Sequence, residues 1–509
     1  METIMNRKTI FLIAVLVLAG IGFTAFLNIN SKSNLGSDNG ISGINVDNGD
    51  TKVNWSKYPT FNIDLNDSLE IKESGTYNIS GDLNDGSITV DVGDESGVVK
   101  LVLDNVYIDC SDGPAIYVKS ADDVVIETVK DTKNYLSSGD TYRDFGEDNV
   151  DATIYSKGDL SFSGDGYLYV ESNYQDAIVS KDDLTIRSGE IEVSAADDGI
   201  RGKDSVNISG GKVVVAAEQD GIKSTNEDDK TKGFVYIQDG EIEISVSDDG
   251  IHATSSLIID GGKIDIKKSY EGLEGGKVIV NGGKISVYSN DDGVNVAGGN
   301  DESAFMRPGA QNFSEKIEYV LTVNDGDIYI NASGDGLDSN GNIYINGGNI
   351  VVDGPINSAN GALDSELGIY MNGGSVIAVG ASGMAESFVD SSVAFGVSIY
   401  LTDSQTKGTK ISIKDESGKE ILSHTSAKSF NHIAIGSEKF EFGKTYTIYI
   451  DDEEYESFTV ASTVTTVGTA PSGMNGGMMG PGGQNMQDGQ NTPPEMPSDQ
   501  NRPNFKPNN

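Results

Sequence analysis

The stretch Gly189-Glu-Ile-Glu-Val-Ser-Ala-Ala-Asp-Asp-Gly-Ile200 is the first of five copies of a sequence motif that occur before Val296. Each repeat opens with a glycine, continues with apolar residues at alternate positions, and ends in an acidic residue, a glycine and an apolar residue. The opening glycines are Gly189, Gly211, Gly240, Gly262 and Gly283, at separations of 22, 29, 22 and 21 residues. A period of about 22 residues predicts a solenoid, in which each repeat packs on its neighbours.

The alternation inside each repeat predicts β-strands. Ile264 and Ile266, then Val278 and Val280, are apolar residues two positions apart, and no repeat contains a helical stripe of apolar residues. Three short strands per repeat, with Gly-Gly or Asp-Gly at the corners, predict an all-β fold that is a parallel β-helix with coils of about 22 residues. Equivalent residues of successive coils then stack about 4.7 to 4.9 Å apart, the spacing of neighbouring strands.

Stacking of the coils creates columns of equivalent residues. One column is apolar and is expected to fill the core: Ile191, Val213, Ile242, Ile264, Ile285, Ile328 and Ile350. A neighbouring column is acidic: Asp176, Asp198, Asp220, Asp249, Glu271, Asp292 and Asp335, with a second carboxylate before it in three repeats, at Asp197, Asp248 and Asp291.

The stacked carboxylates of the acidic column need positive charge nearby to offset their mutual repulsion. Carboxylates about 4.8 Å apart repel by roughly 3 to 4 kcal/mol per pair at an effective dielectric constant near 20. Ca²⁺ takes six to eight oxygen ligands from carboxylates and backbone carbonyls, which a turn repeated on every coil can supply. We therefore expect the column to bind calcium. The alternative is that Asp-Gly is simply a favourable turn dipeptide and that its carboxylates are solvated.

Composition limits the function classes. The chain has 509 residues, 63 glycines and a formal net charge of −43, which argues against nucleic acid or an anionic membrane surface as a partner. Cys110 is the only cysteine, so an internal disulfide is excluded and the fold must be held by packing, with a bound metal as an optional further support.

The order of segments predicts an exported protein. Arg7 and Lys8 precede an apolar run from Ile10 to Leu27, which is typical of an export signal, and the run is also just long enough to span a bilayer. We divide the chain into five parts: a signal peptide or membrane anchor (1–28), a linker (29–53), the parallel β-helix (54–394), a small antiparallel β unit that caps it (395–465) and a disordered tail rich in Pro, Gly, Met and Asn (466–509). The protein is expected to be secreted or to lie at the cell surface, with membrane contact only through an uncleaved N-terminal segment.

Two further motifs lead to a family. Gly75-Thr-Tyr-Asn-Ile-Ser-Gly-Asp-Leu83 and Leu101-Val-Leu-Asp-Asn-Val-Tyr-Ile108, together with the Asp-Asp-Gly-Ile coils, resemble secreted bacterial carbohydrate-binding proteins with a polysaccharide-lyase-like parallel β-helix. The resemblance covers roughly residues 53–460. The resemblance implies a right-handed β-helix, bound calcium, and affinity for polysaccharide such as a plant cell-wall or acidic glycan. It carries the calcium role to Asp198, Asp220, Asp249 and Asp292, whereas the Tyr-Glu-Gly turn of Glu271 departs from the pattern.

Three function classes stay open at this stage. Binding of polysaccharide without catalysis is favoured, with Tyr174 and Tyr270 as stacking platforms for sugar rings and with Arg201, Lys223 and His252 as polar contacts beside the acidic column. A calcium-dependent pectate-type lyase is the alternative, with Arg201 and Lys223 as candidate catalytic residues. The third class is a structural stalk at the cell surface.

Overall fold

Parallel pairing between successive repeats is the organising feature of the chain. The computed structural model describes residues 53–93, 96–146, 148–297 and 319–471. Most repeats contribute one strand to each of three ladders, and within a ladder each strand pairs in parallel with its counterpart in the next repeat. Two long strands near the N-terminus, Gly75–Leu83 and Val98–Cys110, each contribute to two ladders. The predicted all-β fold with parallel sheets is therefore confirmed, whereas the right-handed winding stays a prediction.

The first and second ladders belong to one large sheet and the third forms a sheet of its own. The first ladder contains the C-terminal parts of β3 (Gly75–Leu83) and β5 (Val98–Cys110), then β8 (Lys133–Ser138), β11 (Tyr167–Ser172), β14 (Glu190–Ala195), β17 (Lys212–Ala217), β20 (Glu241–Val246), β23 (Lys263–Ser269), β26 (Lys284–Ser289), β29 (Asp327–Ala332), β32 (Asn349–Asp353) and β35 (Ser375–Gly380). The second contains β1 (Thr60–Leu65), the N-terminal parts of β3 and β5, then β7 (Asp123–Thr128), β10 (Asp159–Gly164), β13 (Asp183–Ile186), β16 (Ser205–Ile208), β19 (Phe234–Ile237), β22 (Ser256–Ile259), β25 (Lys277–Val280), β28 (Val320–Val323), β31 (Asn342–Ile345) and β34 (Gly368–Met371). The third contains β2 (Leu69–Ile71), β4 (Ile88–Asp91), β6 (Ile116–Ser120), β9 (Ala152–Ser156), β12 (Asp176–Ser180), β15 (Ile200–Gly202), β18 (Ile222–Ser224), β21 (Ile251–Ala253), β24 (Leu273–Gly275), β27 (Val294–Val296), β30 (Leu337–Ser339) and β33 (Leu363–Ser365).

The predicted apolar column lies inside the first ladder. Ile242 pairs with Ile264 and Ile264 with Ile285, and all three side chains are buried. The same register extends from Ile191 to Ile350, so the column is confirmed along its whole length. The glycine that opens each repeat adopts the left-handed conformation, as at Gly262 with φ 86°. A residue with a Cβ atom is strained there, which explains why the repeats share this residue.

After the last repeat the pairing changes direction. β39 (Phe430–Ser437) pairs antiparallel with β35 and with β36 (Phe395–Gln405), which also pairs with β42 (Val464–Val467). A separate antiparallel sheet contains β37 (Lys410–Asp415), β38 (Glu420–Thr425), β40 (Thr445–Ile450) and β41 (Glu453–Thr459). The buried Asp353 of the repeats accepts hydrogen bonds from Ser426 Oγ at 3.0 Å and from the backbone amide of Ala427 at 3.1 Å. These contacts attach the C-terminal strands to the repeats, and their capping role stays a prediction.

Several predicted segments fall outside the described residues: the export signal or anchor (1–28), nearly all of the linker (29–53) and most of the tail (466–509). Within the part of the chain that the structure describes, no helix has the length and apolar character needed to cross a bilayer.

The register can be tested with Ile264→Asp. An unpaired charge inside the apolar column should cost several kcal/mol of unfolding free energy, to be measured by urea denaturation. The adjacent Lys263→Ala is the control, since Lys263 makes only an exposed ion pair with Glu241 and should change stability by less than about 1 kcal/mol. Equal stability of the Ile264→Asp variant and the wild type would contradict the register.

Candidate functional site

The third ladder brings two columns of polar residues side by side. The acidic column stacks because the amide after each acidic residue donates to the carbonyl of the next one, as Gly199 does to Asp220 and Gly221 to Asp249. A second column is formed by the residues three positions after the acidic-column residues. Its members pair with one another in the register of adjacent strands. The second column is Arg201, Lys223, His252, Glu274, Asn295, Asp338 and Asp364. It is basic at the N-terminal end and acidic at the C-terminal end.

The glycine of each Asp-Gly pair is required by close packing. A Cβ atom added at Gly293 would lie 2.2 Å from Ile330 Cγ2 and 2.5 Å from the carbonyl oxygen of Gly336. Neither contact is possible in a folded chain, and the same crowding recurs at Gly199 and Gly272. Glycine therefore follows the acidic residue because the neighbouring repeat packs too closely for a Cβ atom. A preference of the dipeptide for turns does not explain it.

The acidic side chains are partly satisfied by the backbone. Oδ1 of Asp176 accepts a hydrogen bond from the amide of Asp198 at 3.1 Å, and Oδ1 of Asp198 accepts one from Asp220 at 3.1 Å. Asp220 accepts likewise from Asp249 at 2.9 Å. Each carboxylate thus hydrogen-bonds the repeat that follows it, which orients the column and leaves one oxygen of each group for another partner.

Basic side chains supply that partner in the N-terminal half. Arg201 Nε donates to Asp176 Oδ2 at 2.7 Å, and its Nη2 donates to Asp151 Oδ2 at 2.7 Å. Burial opposes the charge of Arg201, but the two aspartates outweigh it and raise the pKa of the guanidinium. Burial raises the pKa of Asp176 to about 7 although Arg201 opposes the shift.

Lys223 and His252 repeat this arrangement in the next coils. Lys223 Nζ lies 2.6 Å from Asp220 and 3.3 Å from Asp198, and these carboxylates raise its pKa against the effect of burial. His252 Nδ1 lies 3.1 Å from Asp249 and also contacts Glu274. Burial lowers the pKa of His252, but the hydrogen bonds to the two carboxylates raise it to about 10. Side chains therefore already supply positive charge near Asp198 and Asp220, and calcium binding by these two residues stays a prediction.

The C-terminal half of the two polar columns lacks basic side chains and is acidic. None of Glu271, Asp292, Asp335 and Asp338 forms an ion pair with a described basic residue. Burial, reinforced by neighbouring carboxylates, raises the pKa of Glu271 to about 9, of Asp292 to about 8 and of Asp338 to about 7. These carboxyl groups must share protons or hold a cation near neutral pH.

The C-terminal half of the two columns brings together oxygen atoms that could bind a cation. One oxygen from each of Asp292, Asp335 and Asp338 lies within 4.8 Å of the other two. Asn295 is 7% exposed, and its Oδ1 is buried and accepts no hydrogen bond in the described residues. Carboxylates with a free amide oxygen are ligands that Ca²⁺ prefers. The residues therefore fit calcium here and do not fit it where Arg201 and Lys223 lie.

A cavity opens beside the basic end of the second column. It encloses about 340 Å³ and is lined by Ser180, Lys181, Asp198, Arg201, Lys203, Lys223 and Thr225. Four of these side chains are basic, in a chain whose formal net charge is −43. Burial, assisted by the charge of Arg201, lowers the pKa of Lys181. Oγ1 of Thr225 is buried without a hydrogen-bond partner in the described residues. The cavity can therefore hold an anionic group and offer it a hydroxyl.

The structure separates the other predicted site residues. Tyr174 stacks on Tyr142 at a centroid distance of 4.4 Å, and a hydrogen bond to Asp291 raises the pKa of Tyr270 to about 12. His252 is 7% exposed, so its ring acts as a counter-charge and does not offer a surface that a sugar can reach. Asp197, Asp248 and Asp291 are half-buried, each directly before its acidic-column residue. Sequence reasoning missed Lys181 and Lys203, although they lie 22 residues apart at equivalent positions of successive repeats. It also missed Asp338, whose signal was its place three residues after Asp335.

Comparison with known proteins supports a carbohydrate-related family. The model of a family described as "Carbohydrate-binding domain-containing protein" matches residues 66–306. A protein of that description from Acetivibrio thermocellus is 39% identical over 129 residues, which are 25% of this chain and 45% of the relative. The chain thus spans less than half the length of this curated relative. A solved structure of a polysaccharide lyase-like protein from C. thermocellum, a gadolinium derivative, aligns at 33% identity over 47% of this chain and 96% of that chain, with a TM-score of 0.39.

The chain is similar to carbohydrate-binding domain proteins. The matched residues include the cavity and the acidic column as far as Asp292. The family resemblance expected from the sequence is confirmed to this extent, while calcium, export and the glycan stay predictions.

The unpaired carboxyl groups predict the pH dependence of stability. The pKa values of Glu271 and Asp292, about 9 and about 8, exceed the ordinary unfolded values near 4. The folded state therefore binds more protons than the unfolded state between about pH 4 and about pH 9, and unfolding free energy must fall as pH rises through this range. Melting temperature measured in EDTA should decrease from pH 5 to pH 9.

A variant separates this effect from the general repulsion of a negatively charged chain. Glu271→Gln should flatten the dependence of melting temperature on pH, whereas Glu366→Gln, at an exposed position, should leave it unchanged. Identical slopes in both variants and the wild type would show that the buried carboxyl groups do not titrate in this range.

Proposed function

We propose that this chain is an exported, calcium-binding, non-catalytic protein whose right-handed parallel β-helix, closed by a small C-terminal β cap, binds acidic polysaccharide. The observation that carries the proposal is the basic cavity lined by Lys181, Arg201, Lys203 and Lys223. The similarity of residues 66–306 to carbohydrate-binding domains supports a glycan as the ligand.

The charge distribution supports an acidic sugar. A chain with a formal net charge of −43 repels polyanions in general, so a concentration of four basic groups in one cavity provides a local exception. Arginine offers a planar pair of donors that matches a carboxylate, and lysine provides a more flexible point charge. The hydroxyl of Thr225 and the carboxylate of Asp198 can bond sugar hydroxyls beside the bound carboxylate.

The protonation of the basic residues favours binding over elimination. A lyase needs a base that loses its proton near neutral pH. Arg201 and Lys223 both have raised pKa values because of their aspartate partners, so they remain cations and suit charge recognition. Lys181, whose pKa is lowered, is the residue on which the alternative of a calcium-dependent pectate-type lyase rests.

Calcium belongs in this proposal to the C-terminal half of the columns. Asp292, Asp335, Asp338 and Asn295 would hold it, and the ion would neutralise carboxylates that have no ion-pairing partner in the described chain. Its role there is to stabilise the stack of repeats that also carries the cavity.

Calcium binding should therefore depend on where the column is changed. Ca²⁺ at a hundredfold excess over its Kd should stabilise the wild type by about 2.7 kcal/mol per site, and calorimetric titration should show reduced affinity in Asp338→Asn. Asp220→Asn is the matched control, because Lys223 already neutralises Asp220. Equal loss of calcium affinity in both variants would place the ion along the whole column, and no binding to wild type at millimolar Ca²⁺ would remove it from the function.

Glycan binding can be tested by affinity electrophoresis of the full chain in gels containing polygalacturonate. Lys203→Glu reverses an exposed charge at the cavity and should weaken binding about tenfold, or about 1.4 kcal/mol. Lys284→Glu changes the net charge equally at an exposed position of the first ladder and should have little effect. Unchanged affinity in Lys203→Glu would exclude the cavity, and ultraviolet-absorbing unsaturated product that disappears in Lys181→Ala would establish the lyase alternative.

A further inference from the structure

The outer face of the first ladder carries a patch of tyrosines. We define the tyrosine patch as Tyr107, Tyr135, Tyr167 and Tyr169. Tyr107 of β5 pairs with Tyr135 of β8, which pairs with Tyr169 of β11, so three rings occupy one register position on successive strands. Strand spacing places their Cα atoms about 5 Å apart in a row that crosses the strands. Tyr107 and Tyr135 are 39% and 38% exposed.

Three of the four rings of the tyrosine patch contact one another. The ring of Tyr135 makes edge contacts with Tyr167 at a centroid distance of 6.1 Å and with Tyr169 at 6.3 Å. Tyr167 is fixed further, because its hydroxyl donates to Glu192 at 2.7 Å and Lys133 Nζ lies 5.8 Å from its ring centroid. Tyr135, Tyr167 and Tyr169 are therefore preorganised, and a ligand that covers them does not have to order these side chains.

The surroundings of the patch are acidic and rich in hydrogen-bonding groups. Asp82 pairs with Tyr107 and Glu192 with Tyr169, at the two ends of the row. The hydroxyl groups of Tyr107 and Tyr135 make no hydrogen bond within the described residues. Aromatic faces with carboxylates around them suit an uncharged polymer of sugars, whose rings stack on tyrosine while hydroxyls donate to the carboxylates. A polyanion would be repelled at this surface.

Electrostatics also opposes the obvious rival occupant. A second copy of the chain would bring another formal charge of −43 and acidic flanks against an acidic patch, and like charges facing each other suppress association. The residues matched by the carbohydrate-binding family, 66–306, include all four tyrosines.

We propose that the tyrosine patch is a second glycan-binding surface that takes a neutral polysaccharide, with sugar rings stacked on Tyr107, Tyr135 and Tyr169 along the row. This inference rests on the proposed function for its ligand class and differs from it in site and in charge of the sugar. The chain then holds an acidic glycan at the basic cavity and an uncharged one at the tyrosine patch.

The test is affinity electrophoresis of the full chain in gels that contain a soluble uncharged β-glucan, a soluble uncharged xylan or polygalacturonate. The double variant Tyr135→Ala/Tyr169→Ala should bind at least one uncharged polymer about tenfold more weakly than the wild type and should bind polygalacturonate as the wild type does. Tyr135→Phe, which keeps the ring, should lose less than Tyr135→Ala. Tyr288→Ala is the matched control, since Tyr288 is 44% exposed in the same ladder and has an edge contact with Tyr329.

The outcomes separate the two proposals. Binding of polygalacturonate without binding of either uncharged polymer would overturn the tyrosine patch and leave the cavity intact. Binding of an uncharged polymer that is lost in the double variant, with no polygalacturonate binding, would support the patch and remove the acidic ligand. Equal weakening by the double variant and by Tyr288→Ala would overturn the patch, as would sedimentation showing a wild-type dimer that the double variant loses.

Discussion

Carboxylates that repeat once per strand spacing within a folded chain repel one another, and each of them needs a compensating partner. At about 4.8 Å the repulsion is roughly 3 to 4 kcal/mol per pair for an effective dielectric constant near 20, which is a large fraction of the stability of an ordinary domain. Backbone amides of the next repeat compensate one oxygen of several carboxylates, as in the bond from Asp198 to Asp176. Because this bond crosses between repeats, it makes the acidic column depend on correct stacking.

The remaining repulsion between the carboxylates is compensated differently at the two ends of the acidic column. Arg201, Lys223 and His252 neutralise the N-terminal end, whereas the C-terminal end concentrates Glu271, Asp292 and Asp338 with raised pKa values. One ladder of strands therefore presents a basic cavity and an acidic, oxygen-rich cluster a few repeats apart. A repetitive backbone can carry two chemistries in this way, because the residue at an equivalent position changes while the register does not.

The regular part of the fold could be predicted from the sequence because two periods act together. Alternation assigns Ile264 to the core, and the repeat length aligns it with Ile242 and Ile285. The electrostatics of the site could not be predicted in the same way. Lys223 reaches both Asp198 and Asp220, and the pattern fixes where a side chain begins but not which of two adjacent repeats it contacts.

The tyrosine patch could not be predicted because it has no sequence period, whereas Lys181 and Lys203 of the cavity lie one repeat apart at equivalent positions. Tyr107, Tyr135 and Tyr169 are separated by 28 and 34 residues, because loops of unequal length lie between strands that nevertheless pair in register.

The basic cavity imposes a limit on ligand affinity that follows from the same compensation. Arg201 and Lys223 are already bonded to Asp151, Asp176, Asp198 and Asp220, so an acidic sugar gains only the difference between its own contacts and those the carboxylates already make. Lys203 is exposed, and the structure shows no ion pair for it, so its charge is not offset within the described chain. The half-buried Arg201 and Lys223 thus line the cavity with charge that is already paired, while the charge of the exposed Lys203 remains unpaired within the described residues. Under the proposed function, this division would let a strongly acidic protein keep a stable stack of repeats and also bind a negatively charged polymer.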